Sequence, residues 1–497
     1  MPEVVVQKSS TWARWSWVPG VLVFAAAAGV NLALGARADY QGFRFLWQHL
    51  SPEALREDFF GSIGALHIQP PGFNVLLAGV DSFGGASELV WTVLGLAFGG
   101  ATIALAADST RRLSSSPLAG LIVGLLLALL PSTFLYAIWP SYTALVALLI
   151  TLAAWSLIVA LHSPNHSSAS LGYLVLSGGA VTLLFLVRAS YAWPLVLAWL
   201  IVLAWEARRL ASARWARVGI ALGILALLVV AVQVRAFTVF GTWTMTSWSG
   251  QNLLNAALTS QATSRQAIEQ AATSPCHQFL LDRSPFTPFA PAQVPEATTT
   301  GCTLVDYRPS ADAPVALGVD RWPVGQYNFN NEAELAWAPY WNSLALRTLA
   351  SDPLTIPRVI TGSADTRGSF AVLLSRSDTY NQVRGNWETS GAFLGKLWPL
   401  SVAWAPVVLA TTYIGGLTLL AIPALRRRVP RGYWILVGSA TTVLLVNLIA
   451  EYGENQRFRV ELDPLFAILA ATTLTVLASP LAQRRQAPVS EPDSSPV

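Results

Sequence analysis

The chain has 497 residues, of which 53% are hydrophobic and 12% charged, with a formal net charge of +4. Apolar runs of about 20 residues recur, each long enough to cross ~30 Å of hydrocarbon, which excludes a water-soluble globular protein and points to an all-α polytopic membrane protein. Lysine occurs only at Lys8 and Lys396, and the arginines do not form the basic patches interleaved with aromatics that a nucleic-acid surface needs.

Lys8 and Arg14 precede an uncharged run from Trp17 to Ala36, which lacks a cleavage-type ending and is expected to be a retained first span rather than a removed signal peptide. Further spans are expected at Ala86 to Ala107, Leu118 to Ile138, Tyr142 to Leu161, Leu171 to Val187, Ala192 to Trp205 and Val218 to Val234. The last three are Trp398 to Leu425, Tyr433 to Ala450 and Leu465 to Ala478. About ten crossings put Arg111 with Arg112, Arg208 to Arg217, Arg426 to Arg431, and Arg484 with Arg485 on one side, which the positive-inside rule makes the cytoplasm. That count requires Pro70 to Gly84 not to cross. Pro70-Pro71 forces a turn, glycines interrupt the stretch, and Asp81 would cost several kcal/mol in lipid, so an interfacial or re-entrant helix is expected.

The domain reading follows. Residues 1–235 form an N-terminal transmembrane module whose first outer loop, 37–85, carries interfacial helices. Residues 236–396 form an extracytoplasmic soluble domain, 397–482 the C-terminal transmembrane helices, and 483–497 a polar, disordered cytoplasmic tail. Both cysteines, Cys276 and Cys302, fall in the outer segment, where a structural disulfide is expected and two unpaired thiols are the alternative. Trp243, Trp248, Trp322, Tyr327, Trp337, Tyr340, Trp341 and Trp387 offer either sugar-stacking surfaces or the filling of a small core. No internal repeat is visible, which weighs against a duplicated transporter bundle.

Asp39 directly follows the first span, where a partly shielded carboxylate can accept a proton from a hydroxyl. An amphipathic stretch follows with Phe43, Phe45, Leu46 and Leu50, then Glu57-Asp58-Phe59-Phe60, then Leu66-His67-Ile68-Gln69-Pro70-Pro71-Gly72. His67 can donate to a phosphate oxygen, ligate a metal, or cap the turn. No second histidine stands at ligand spacing from it, and His49 is distant in sequence, so no metal is assigned.

An acid after the first span, an amphipathic first loop and a His-x-x-Pro-Pro turn resemble the GT-C superfamily of integral-membrane glycosyltransferases. The pattern is most similar to the protein O-mannosyltransferase and lipid A aminoarabinose transferase branch. Leu186-Val187-Arg188-Ala189-Ser190 and Glu454-Asn455-Gln456-Arg457-Phe458-Arg459 with Pro464 resemble that family's mid-chain arginine and its late outer loop. The resemblance implies transfer of a sugar from a polyprenyl-phosphate donor to an extracytoplasmic glycan, lipid or protein acceptor, with Asp39 as base.

On this reading His67, Arg188, Arg457 and Arg459 bind the donor phosphate, since guanidinium matches its oxygens in a bidentate way. Tyr40, Glu57, Asp58, Gln69 and Glu454 are acceptor-side or supporting residues. The alternatives are a snorkelling Arg188 and a salt-bridged loop joining Arg457 and Arg459 to Glu454 and Glu461. Three arginines on the outer face run against the positive-inside tendency, and an anionic lipid headgroup would explain them.

The chain departs from the family's pattern in two places. Tyr40 follows Asp39 where many relatives double the acid, and Trp139-Pro140-Ser141-Tyr142-Thr143 holds no acid in the second outer loop. No cofactor is identified, and a divalent metal is not indicated. An arginine-rich, lysine-poor composition suggests a bacterial plasma membrane and an envelope glycan. The rival reading is a transporter or flippase of a lipid-linked saccharide, or a non-catalytic scaffold. The transporter needs mid-span polar residues, and Asn31, Gln233 and Asn447 are the main candidates.

Overall fold

The computed structural model describes residues 14–36, 38, 49–163, 168–210, 215–242, 246–263, 265–281, 317, 322, 328–362, 366–374, 398–450 and 455–486. Among them there is no β-strand, only helices and one isolated antiparallel bridge between Gly362 and Arg367. Six helices are long and apolar enough to cross a membrane: Gly84–Ser114, Thr143–His162, Ala169–Val187, Trp215–Phe240, Ala403–Ala421 and Arg457–Ser479.

In chain order, α1 (Val18–Ala33) leads into a loop with three short helices, α2 (Pro52–Glu57), α3 (Phe59–Ala65) and α4 (Gly72–Asp81). At 10 residues α4 is too short to span. Asp81 at its end pairs with Arg56 at 2.9 Å instead of meeting lipid.

α5 (Ser87–Ser114) stops where Ser115 takes a left-handed conformation, φ 56°. Ser116 then caps α6 (Pro117–Leu129) by accepting from the Ala119 N–H. α7 (Pro131–Ile138) departs from α6 by 60°, so the single span expected over Leu118 to Ile138 is broken. The cause is local. Pro131 has no N–H to continue the helix and pushes Leu130 into extended backbone, ψ 119°.

α8 (Thr143–His162), α9 (Ser168–Val187), α10 (Trp193–Leu210) and α11 (Trp215–Phe240) complete the N-terminal bundle. Close crossings are set by small residues. A Cβ on Gly95 would lie 1.7 Å from the Ala137 carbonyl oxygen, and one on Gly20 would lie 2.7 Å from the Gly124 backbone.

α12 (Ser249–Thr259), α13 (Arg265–Ala271), α14 (Pro275–Leu281) and α15 (Glu332–Ser351) build a separate small core around Leu254, Ile268, Leu280, Trp337 and Trp341. Trp337 is fully buried and stacks on Phe279 with centroids 4.8 Å apart, so these rings fill a core rather than present a sugar platform. α16 (Thr355–Thr361) and α17 (Ser369–Leu373) follow. α18 (Trp398–Ala421), α19 (Pro423–Arg426), α20 (Tyr433–Ala450) and α21 (Asn455–Gln486) end the fold. The sequence suggested a loop from Glu451 to Pro464, but α21 is helical from Asn455 onward and carries Arg457, Arg459 and Pro464 within it.

The basic clusters converge at one end of the bundle. Asp108 meets Arg112 at 2.6 Å, Arg111 at 2.5 Å and the Trp155 indole at 2.8 Å. Glu206 meets Arg209 at 3.3 Å and Arg431 at 2.7 Å, and Arg428 donates to Ser479. These contacts tie α5 to α8, and α10 and α21 to the turn before α20. Arg188 and Arg457 stand at the other ends of α9 and α21, so the candidate site lies at the opposite end of the bundle.

Candidate functional site

The first loop is fastened by its own polar side chains. Ser51 caps α2, accepting from the Ala54 N–H at 3.1 Å, and Asp58 closes α2 and caps α3 by accepting from the Gly61 N–H at 2.9 Å. Asn74 is fully buried, and its side-chain oxygen accepts from the Leu50 N–H at 2.9 Å. Asp58 is thus a helix cap, and Glu57 is exposed at the end of α2. Asp39, Tyr40 and Glu454 lie outside the described residues, as do Phe43, Phe45, Leu46, Cys302, Trp243, Tyr327 and Trp387. Cys276 is buried in the small core.

Arg188 and Arg457 come together over Tyr142 and Phe458, and two carboxylates that sequence reasoning did not place among the site residues, Glu461 and Asp463, lie against Arg188 and Arg459. Arg188, only 1% exposed, is ion-paired with the fully buried Glu461, and Asn447 accepts from its second terminal nitrogen at 3.3 Å. Its guanidinium lies 3.9 Å from the Phe458 ring centroid and 5.5 Å from that of Tyr142. Arg188 therefore does not snorkel.

Arg457 donates to the Tyr142 hydroxyl at 3.1 Å, and its guanidinium is 5.2 Å from that ring and 5.6 Å from the Trp139 ring. The turn between α7 and α8 thus sets aromatic rings against the cation. Arg459 turns away. It donates to the Leu373 carbonyl at 2.9 Å, with Asp463 3.6 Å from its Nε. The i to i+4 spacing of Arg459 and Asp463 on α21 puts them on one helical face.

His49, set aside by its distance in sequence, belongs to this cluster. Its ring lies 4.7 Å from that of Phe73 and 6.0 Å from that of Tyr142. Burial first, and the Arg457 charge second, push its pKa down to about 3, so the imidazole is neutral. Only the fold could have revealed it, because Tyr142 and Arg457 arrive from remote parts of the chain.

His67 takes a different place. A carbonyl can only accept, so Nε2 donates to the Asn331 carbonyl at 3.2 Å, and Nδ1 takes the Ser247 hydroxyl at 2.8 Å. Its backbone N–H donates to the Asn330 side chain at 2.8 Å, and its carbonyl accepts from the Ser247 N–H at 2.9 Å. Both ring nitrogens are engaged, and burial pushes the pKa down to about 4, against the weaker opposite effect of the backbone hydrogen bonds. His67 is a neutral staple between the first loop and the segment that follows α11, with both ring nitrogens occupied within the protein. Gln69, two residues on, accepts from the Ala189 N–H at 3.4 Å and holds the Pro70-Pro71 turn against the Arg188 corner.

An apolar cavity of about 330 Å³ abuts this corner between α8, α9, α10, α20 and α21. Tyr191, Val181, Leu184, Trp199, Leu462 and Leu465 line it, and Leu462 is the neighbour of Glu461. The Tyr191 hydroxyl is buried with no hydrogen-bond partner among the described residues. A guanidinium cluster with a hydrocarbon-lined space nearby suits an amphiphile with an anionic head. Among the described residues, no group of three or more His, Cys, Asp or Glu converges as a metal site would.

No family model matches this chain, and no curated protein or solved structure does so either.

Proposed function

We propose that this chain is a GT-C-type membrane glycosyltransferase that moves a sugar from a polyprenyl-phosphate donor to an extracytoplasmic acceptor. The observation that carries this reading is the buried Arg188 and Arg457 cluster, at the end of the bundle opposite the basic loops, with an apolar cavity between the helices whose lining includes Leu184, Tyr191 and Leu462, close along the chain to Arg188 and Glu461. Such a site can bind a phosphate and the first part of its hydrocarbon tail at once.

In this account the shorter apolar helices α1, α10 and α20 also cross. With the bent α6 and α7 pair counted once, that brings the total to about ten, with the basic end in the cytoplasm of a bacterial cell. The Asp39 carboxylate removes the proton from the acceptor hydroxyl. The acceptor oxygen bonds to the anomeric carbon as the bond from that carbon to the phosphate oxygen breaks. The departing phosphate keeps the electron pair, and Arg188 and Arg457 compensate its charge.

Binding of radiolabelled short-chain polyprenyl phosphate to the purified chain in nanodiscs tests this. Saturable binding is expected, together with a loss of about tenfold in Arg457→Gln, the size of one charge-assisted contact. Equal binding of the dephosphorylated prenol would contradict the reading.

A further inference from the structure

A second cleft lies away from the Arg188 corner, between α3 and the end of α11. Its volume is about 240 Å³, and Phe60, Ile63, Val232 and Phe240 supply its apolar walls. Arg235 stands in its lining. One terminal nitrogen donates to the Gly64 carbonyl at the end of α3, and the guanidinium lies 5.5 Å from the Phe240 ring. Among the described residues no carboxylate comes within ion-pair range of Arg235, and its side chain is exposed.

The surroundings are equally specific. α11 is the least buried of the six long apolar helices, and Leu227, Val234, Phe237 and Val239 face outward along it. Phe60 is 85% exposed on α3. An exposed guanidinium at the end of an apolar, outward-facing helix, opposite the basic end of the bundle, offers a partner to an anion. The apolar flanks require that anion to carry hydrocarbon.

We infer that this cleft binds an anionic phospholipid, its phosphate on Arg235 and its acyl chains along α11. The bound lipid joins α3, and with it the first loop, to α11. His67 and Pro71 also line this cleft, but it uses neither Asp39 nor Arg188 nor Arg457, so it stands or falls separately from the transfer step proposed above.

Retention of phosphatidylglycerol against phosphatidylcholine, read by native mass spectrometry of the whole chain released from mixed-lipid nanodiscs, tests the inference. A preference of about fivefold for phosphatidylglycerol is expected from one interfacial arginine, kept by R235K and lost in R235Q. A Cβ on Gly64 would meet only the Arg235 guanidinium, at 3.8 Å. G64L therefore fills the cleft while keeping the charge, and is expected to lose the lipid even if R235Q proves unstable. Parental retention in a folded R235Q or in G64L would overturn the inference. So would displacement of the lipid by inorganic phosphate at the same concentration as competing phosphatidylglycerol, which would assign the site to the free anion.

Discussion

Glu461→Gln leaves the Arg188 guanidinium, 1% exposed, without its carboxylate partner in the bundle. Among the contacts that remain are Asn447 at 3.3 Å and the Phe458 and Tyr142 rings, which are neutral. Breaking a buried pair by removing one partner costs about 3–5 kcal/mol, whereas replacing both partners with apolar residues of similar volume is often neutral. Arg188→Met alone should cost a similar amount, and Arg188→Met with Glu461→Met should recover most of the loss. Measured with Arg188→Met and Glu461→Met as the single changes, that recovery is a coupling of about 5 kcal/mol or more in reversible unfolding from mixed micelles. Additive losses in the double variant would refute the pairing. The same proteins also separate structure from chemistry: a double variant of parental stability that binds no polyprenyl phosphate assigns Arg188 to the ligand as well as to the fold.

Acid should loosen the first loop before the bundle. His49 and His67 have folded pKa values pushed down to about 3 and about 4, so below the unfolded value of 6.5 the unfolded chain holds more protons and stability falls. Roughly 2 kcal/mol per histidine should be lost between pH 7.5 and pH 5, measured by unfolding at each pH, and a flat profile would contradict the neutral assignments. Ser247→Ala should cost about 1–3 kcal/mol by orphaning the buried His67 Nδ1, with proteolysis of the outer segment as the readout; unchanged cleavage would reject the staple. Gly95→Val forces a side chain onto the Ala137 carbonyl and should cost about 3 kcal/mol or more, whereas Gly79→Ala, with nothing within 4 Å of its Cβ, should be tolerated.

Apolar runs and basic clusters made the helical class and the common end of the arginines legible, because both are one-dimensional signals. The short α4 was also legible, since Pro70-Pro71, the glycines and Asp81 each oppose a crossing. The break at Leu130 was not drawn from the sequence, although Pro131 was its signal. The continuation of α21 through Arg457, Arg459 and Pro464 was hidden by charges that usually mark loops; burial against the Arg188 corner and Leu373 overrides that tendency. Arg188 and Arg457 were singled out by the resemblance of their segments to a family pattern, and the fold brings them together. Glu461 was legible only as a partner of Arg457 and Arg459; its pairing with Arg188, the places of Asn447, Tyr142 and His49, and the contacts of His67 with Ser247, Asn330 and Asn331 were missed because these residues are remote along the chain.

Sugar transfer from a panel of radiolabelled polyprenyl-phosphate sugars by the purified chain, with Asp39→Asn alongside, tests the central claim most directly. The account predicts transfer from at least one donor and its loss in an Asp39→Asn protein of parental stability. Transfer or hydrolysis of no lipid-linked sugar by the parent, or parental rates in Asp39→Asn, would contradict it.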